Sequence, residues 1–299
     1  MNINGVWRYI AVDNKLPYSN GEVLGAQSFA DNETELWAAL IEKAYAKAYN
    51  GYDVFRRNVP RESYLRDLTG APVRKYLSTD SDFANVIRNA ISAGQPVLAV
   101  PRSEVVSLGL NPNHSFAVIN CKSNGGVELR NSWGTIEERS KLSISKEGLF
   151  ELSSNQTKEF ISHVMIAQTN NSWNSTTIES KHKTGFYSTF SFKVQKDTRG
   201  FFTLSQWDER LFPENSYEYS PARIIIQKKN SDDSATYVNA GFSTGRNLDV
   251  EVNLVAGEYE VFVAGHWKSR EYDFDLTFFG QERISFKRVY NNTFPNKIA

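Results

Sequence analysis

A single cysteine, Cys121, occurs in 299 residues. An intrachain disulfide is therefore excluded, and such sparing use of cysteine fits a reducing, intracellular compartment. An excess of charge of either sign is lacking too, because 34 Lys and Arg residues balance 34 Asp and Glu residues. That balance gives no electrostatic reason to expect nucleic acid or an anionic membrane as the main partner. No run approaches the ~18 consecutive apolar residues of a membrane-spanning helix. The opening "MNINGVWRYIAVD" lacks the basic-then-apolar order of a signal peptide. The expectation is a cytoplasmic protein with no transmembrane segment and no nucleic-acid partner. Also missing are a Gly-rich phosphate loop, a Gly-x-Ser-x-Gly elbow and an EF-hand pattern. What the chain does have is 40% hydrophobic and 13% aromatic residues, enough to build real cores.

Helix and strand signals alternate in the first half. From Asn32 to Tyr49, apolar residues at Leu36, Trp37, Leu40, Ile41, Ala44, Tyr45 and Ala48 form one helical stripe. Asn32 and Glu35 read as a capping box, and Asn50-Gly51 as the stop. A second helix is predicted from about Asp82 to Ala93, ended by Gly94. Strand candidates follow at 95–100, 115–120, 127–130, 148–152 and 163–168, with a helical turn at 157–161. The turn Asn124-Gly125-Gly126 joins two of the strands as a hairpin. Residues 169–184, "TNNSWNSTTIESKHKT", are polar and mark a linker. Beyond them come short segments rich in Tyr, Phe, Val and Ile, such as "ARIIIQKK" and "GEYEVFVAGHW", separated by turn residues as in a β-sandwich.

One stretch carries chemistry: "HSFAVINCKSNGGVELRNSWG", His114 to Gly134. A cysteine thiol ordinarily titrates near pH ~8.5 and is mostly neutral at cytosolic pH. A neighbouring imidazolium stabilises its thiolate, and a third group must orient the ring. A hairpin sets the start of one strand against the end of the next, so His114 and Asn131 can meet as base and orienter, with Trp133 as a roof. The alternative is an exposed turn histidine and a structural asparagine. Cys121 cannot serve as the nucleophile of this pair. It follows His114 by seven positions, on the order of 20 Å along a strand at about 3.3 Å per residue. A lone Cys beside one His is no structural zinc site either.

The wider context resembles the calpains, papain-like cysteine endopeptidases. "GVWRYIAVDNKLP" (5–17), "ELWAALIEKAYAKAYNGYDVF" (35–55) and "LRDLTG" (65–70) are similar to that family's motifs, in order. "NHSFAV" matches the strand of its catalytic histidine, here His114. "LRNSWG" matches its catalytic asparagine, here Asn131, with Trp133 following, and "EGLFELS" resembles its Gly-x-Phe-Trp strand. The second half is similar, more loosely, to the C2-like domain that follows the calpain core, through "FTLSQWDER", "ARIIIQK", "GEYEVFV" and "DFDLTFFG". The resemblance implies an α+β chain: a papain-like half-core with antiparallel strands and a long helix, then an all-β C2-like sandwich. The bounds it implies are 1–168 for the His/Asn half, 169–184 for the linker, 185–290 for the sandwich and 291–299 for a tail.

The departures from the family matter as well. In calpains the nucleophilic cysteine lies in a preceding half-domain, so this chain is expected to hold no nucleophile and to be inactive alone. A Cys-bearing protease half-domain is then the implied partner, and intracellular proteins the implied substrates. Calpains also bind calcium near this half-site. Glu137 and Glu147 are the candidate ligands here, in a site weakened because Leu149 stands where a second acid is expected. Asp232-Asp233 reads as a turn, and Arg56, Arg57 and Arg61 as solvated loop residues that could meet acidic substrate positions. His163, His182 and His266 read as surface or satisfied strand histidines, and Trp207 and Trp267 as sandwich-core or interface aromatics. The competing reading is a non-catalytic pseudoprotease scaffold whose sandwich binds a protein partner or a membrane surface.

Overall fold

A computed structural model describes residues 1–20, 22–26, 35–56, 60–133, 141–145, 147–182, 187–232, 234–265 and 272–289. The chain divides into two compact units, one of Ile10–Thr169 and one of Met1–Tyr9 with Asn170–Ala299. It opens with strands β1 (Asn2–Ile3) and β2 (Val6–Trp7), paired as a tight hairpin through Asn4 and Gly5, which sit at φ 53° and 81°. This hairpin clusters with the second unit, although its sequence resembles the peptidase half-core. The reason is local bonding: Thr177 Oγ1 donates to the Gly5 carbonyl at 2.8 Å, and Arg246 donates to Asn4 Oδ1 at 2.8 Å.

The Ile10–Thr169 unit begins with a short hairpin, β3 (Tyr18–Ser19) and β4 (Glu22–Val23). Helix α1 (Trp37–Ala48) follows and stops at Asn50 and Gly51, both at positive φ. The expected cap Asn32 lies outside the described residues. Next come α2 (Arg61–Thr69), β5 (Val73–Leu77) and α3 (Phe83–Ser92). In α3, Phe83, Ile87 and Ala90 are buried at helical spacing, and Gly94 takes the left-handed position just beyond its end. Strands β6 (Val97–Pro101), β7 (Phe116–Cys121), β8 (Val127–Arg130) and β9 (Leu149–Leu152) lead to α4 (Ser154–Phe160) and β10 (Ile161–Ala167). The Ser153 hydroxyl accepts from Gln156 N and Gln156 Oε1 accepts from Ser153 N, a capping box that starts α4 three residues before the expected turn. These strands form one antiparallel sheet in the order β5-β10-β6-β7-β8-β9. Phe83, Ile87, Phe116, Leu129 and Phe150 share one buried core, each worth roughly 1.5–3 kcal/mol on transfer from water.

The second unit continues with β11 (Asn174–His182), β12 (Ser188–Val194), β13 (Thr198–Gln206), β14 (Ala222–Lys229) and β15 (Ala235–Ser243). Then come β16 (Asn247–Leu254), β17 (Gly257–Gly265), β18 (Tyr272–Gly280) and β19 (Lys287–Val289). They make a four-stranded sheet, β11-β18-β13-β16, and a five-stranded sheet, β15-β14-β17-β12-β19. Both sheets contribute to one apolar core: Phe202, Leu204, Val250 and Phe278 from the first, and Phe190, Ile224, Ile226 and Val261 from the second. The stretch that composition marks as a linker is largely β11, paired along its whole length with β18. It is an edge strand whose Ile178 packs on the core, and this explains its polar composition. The tail expected at 291–299 lies outside the described residues. The chain is thus α+β, with a helix-bearing sheet unit and an all-β unit. Among the described residues no helix is long and apolar enough to cross a membrane.

Candidate active site

The β7–β8 hairpin sets the site. Lys122 N donates to Gly126 O at 2.8 Å, Gly125 N donates to Lys122 O at 2.9 Å, and Asn124 Oδ1 accepts from Gly126 N at 3.0 Å. Gly125 has φ +87°, which few side chains tolerate. The register pairs Ala117 with Arg130, so residues just before β7 lie beside those just after β8. His114 and Asn131 occupy those two positions. As their spacing predicts, they belong to adjacent strand ends of one hairpin.

Asn131 is fully buried. Its amide N donates to Gly148 O at 2.8 Å, and its Oδ1 accepts from Trp133 N at 3.1 Å. The Trp133 indole is half exposed and stacks on the His114 ring at 4.1 Å, with 30° between the planes. Phe116 meets the same imidazole edge-on at 5.2 Å. Burial lowers the His114 pKa below the usual histidine value, the Asn131 side chain opposes that by favouring the protonated ring, and the Arg61 charge lowers it further. The Asn131 side chain is near enough to act on the ring, yet among the described residues neither His114 Nε2 nor Asn131 Nδ2, both buried, has a partner of full hydrogen-bond geometry. A neutral, roofed imidazole with an amide beside it is suited to accept a proton and then hold the charge.

Two supports have no signal in the sequence. Gly148 is one: a Cβ there would lie 2.5 Å from the Asn131 carbonyl oxygen, and its φ is +76°. Only glycine lets β9 approach Asn131 this closely. By sequence alone this glycine belongs to an acidic turn. Arg61 is the other. It starts α2, donates to the Asn113 carbonyl at 3.1 Å, and acts on His114. Its expected place was a solvated loop; the structure makes it a tether for the residue preceding the candidate base.

The remaining candidates fall elsewhere. Cys121 pairs with Val127 at the far end of β7 and is 5% exposed, with its thiol donating to Ala84 O at 3.6 Å. Burial raises its pKa, against the opposing Arg88 charge, so it stays a neutral thiol. The structure does not bring it to His114. Glu147 is exposed and faces Arg130 at 3.9 Å. Glu137 and Glu138 lie outside the described residues, as do Arg57, Asp233, His266 and Trp267. Among the described residues no group of three His, Cys, Asp or Glu is placed to hold a metal. Glu147, with Leu149 apolar beside it, offers one carboxylate of the several oxygen ligands that calcium needs, and its expected companion Glu137 is outside the described residues. His163 is a strand histidine, 8% exposed, with Nδ1 against Ser162 Oγ at 3.1 Å; among the described residues its Nε2 has no partner, and burial with nearby Lys75, Arg61 and Arg102 brings its pKa down to about 4. No local pattern signals this, because the three cations come from other elements. Trp207 lines a cavity in the sandwich unit and does not fill its core.

A buried histidine, a neighbouring amide and a tryptophan stacked over the ring are the parts that the base half of a thiol-peptidase type of site requires. Residues 1–188 match the profile of the calpain family cysteine proteases. The chain belongs to the calpain family. It is 30% identical over 154 residues to calpain clp-1 of Caenorhabditis elegans, a match covering 45% of this chain and 19% of that protein. It is 30% identical over 159 residues to human calpain-7, covering 48% and 19%. A calpain-like protease of Neurospora crassa, palB/cpr-8, is 33% identical over 146 residues, covering 44% and 16%. The matched region thus spans about a fifth of the length of these relatives.

Proposed function

We propose that this chain supplies the histidine–asparagine half of a calpain-type cysteine endopeptidase, together with a β-sandwich. In this reading His114 takes the proton of a cysteine thiol lying outside this sequence. Asn131 holds the resulting imidazolium and Trp133 keeps water from the pair. The thiolate attacks a peptide carbonyl, and the His114 proton passes to the leaving amine as the acyl-enzyme forms. Intracellular proteins are the substrates, the cytoplasm is the site of action, and a Cys-bearing half-domain is the partner. The observation that carries the proposal is the buried Asn131 beside a His114 ring stacked under Trp133. Calcium has no step in this account, since the described carboxylates make no cage for it.

The scaffold reading has one observation in its favour, the burial of the only thiol far along β7 from His114. A casein-cleavage assay decides between the two. The isolated chain is expected to be inactive with or without calcium. Mixed with the cysteine-bearing half of a calpain, it is expected to cleave, and His114→Ala to abolish that cleavage. Failure of the mixture to cleave, although the halves associate, would leave the scaffold reading standing.

A further inference from the structure

The sandwich unit contains a cavity of about 380 Å³ that the peptidase reading does not use. It is lined by Ile3, Asn4 and Arg8, by Glu179 and Lys181 of β11, by Trp207, by Asp273 and Asp275 of β18, and by Arg288. Glu179 and Asp275 are direct register partners, so two carboxylates stand opposite each other across one strand pair. Like charges in that position are unfavourable unless something lies between or above them.

Asp275 makes the arrangement unusual. It is 9% exposed and lines the cavity, yet among the described residues it makes no hydrogen bond or ion pair. Glu179 makes none either. Two of the cations nearby are already engaged: Lys181 pairs with Asp273 at 3.6 Å, and Arg288 donates to Ser180 Oγ at 3.0 Å and to Lys181 O at 3.2 Å. Arg8 acts on Asp275 through its charge without forming an ion pair. A carboxylate left nine-tenths buried and unpaired is costly, and the cost falls away when a cation occupies the space in front of it.

An organic cation fits the space better than a metal ion, because among the described residues no group of three His, Cys, Asp or Glu is placed to hold one. The cavity is large enough for an alkyl chain ending in an ammonium or guanidinium. Ile3 offers apolar wall, and Trp207 an aromatic surface of the kind such cations favour. We propose that this cavity binds a primary ammonium or guanidinium group, held by Asp275 and Glu179 beside Trp207. The proposal is independent of the peptidase reading. The same chemistry could arrive as a free amine or as the lysine or arginine side chain of a protein.

The test is calorimetric titration of the full chain with butylamine, with butanol, and with a blocked tripeptide carrying central lysine or central norleucine. Butylamine and the lysine peptide are expected to bind, and butanol and the norleucine peptide not to. Tighter binding by the lysine peptide than by butylamine would point to a protein ligand, and the reverse to a free amine. Asp275→Asn is expected to weaken binding by roughly tenfold or more, as for loss of one charge-assisted contact. Glu179→Gln is expected to weaken it less, and Arg8→Gln to strengthen it by removing a like charge. Below the titration of Asp275, with Glu179, Asp273, Arg8, Lys181 and Arg288 facing it, binding should fade. Equal binding of butylamine and butanol, no binding of any amine, or affinity unchanged in folded Asp275→Asn and Glu179→Gln would overturn the proposal. Calcium binding in place of the amines would do the same.

Discussion

In the sandwich unit, Asp208 is 2% exposed, and its carboxylate takes donors from Arg210 Nε and Nη2 and from Arg246 Nη1, each at 2.7 Å. Gln206, fully buried, donates to Ser220 O at 2.8 Å and accepts from Ser220 N at 2.9 Å. In the peptidase unit, by contrast, His114 Nε2, Asn131 Nδ2 and His163 Nε2 are buried with no partner among the described residues. Most buried polar groups in folded proteins are paired, and each exception asks for a reason. The Asp208 network ties the sandwich unit together, while His114 and Asn131 sit side by side with buried nitrogens that no described residue satisfies. In the sandwich unit the cavity-lining Asp275 makes no hydrogen bond or ion pair among the described residues, and this is the basis of the binding proposed there.

The largest expected effect tests the structural side of this contrast. Asp208→Ala leaves Arg210 and Arg246 uncompensated and should cost about 3–5 kcal/mol, read as a shift in the denaturant midpoint of the sandwich unit. Burial alone would raise the Asp208 pKa, but the Arg210 hydrogen bond and the Arg246 and Arg210 charges hold it below the ordinary value. Its contribution is therefore present above pH ~4 and lost as acid protonates the folded carboxyl. A near-neutral Asp208→Ala would mean that the network is decoration.

Next in size, the two units should respond to pH with opposite sign. His163 is lowered to about 4 in the folded chain, so the unfolded form binds the extra proton between pH ~6.5 and 4. The peptidase unit should lose a few kcal/mol as pH falls through that window. Asp275 is raised to about 7 by burial and by Glu179 and Asp273, against the Arg8 charge. Here the folded form holds the extra proton, so its contribution favours folding below pH ~4 and is lost as pH rises towards 7. Denaturation at pH 4, 5.5 and 7 should show the acid loss shrink in His163→Phe, with the His114 share remaining, and the alkaline loss shrink in Asp275→Asn. Identical pH profiles for the variants and the wild type would dissolve the comparison.

Smaller effects sharpen the site. Gly148→Ala forces a methyl towards the Asn131 carbonyl in a left-handed conformation and should cost about 1–3 kcal/mol. It should also disturb the His114 imidazole signals in an NMR spectrum, whereas Gly51→Ala, at open space, should leave them in place. Cys121→Ala should cost only about 1 kcal/mol. Iodoacetamide should label native Cys121 far more slowly than the unfolded chain; rapid labelling would reopen its candidacy as a nucleophile.

Much of the fold is legible because burial leaves a period in the sequence. Helix α3 shows Phe83, Ile87 and Ala90, and the β7–β8 hairpin shows its Asn-Gly-Gly turn. The sandwich strands alternate because both inner faces are dry. What is hidden lacks an apolar stripe. Helix α2 buries Ser63 and Asp67, and Asp67 accepts from the hydroxyls of Tyr45 at 2.8 Å and Tyr49 at 2.5 Å, a partnership no local pattern reports. Strand β11 reads as a linker because its outward face is polar. At the site, His114, Asn131 and Trp133 are legible from order and spacing, while Gly148 and Arg61 act through backbone approach and charge across elements.

The central claim is that Asn131 favours the protonated form of His114 against the burial that lowers its pKa. An NMR titration of the His114 imidazole reads this directly. Its pKa is expected below 6.5, the ordinary histidine value, in the wild-type chain, and lower again in Asn131→Ala, where the group that favours the protonated ring is gone. A His114 that titrates at or above its ordinary value, and does not move when Asn131 is removed, would contradict the account.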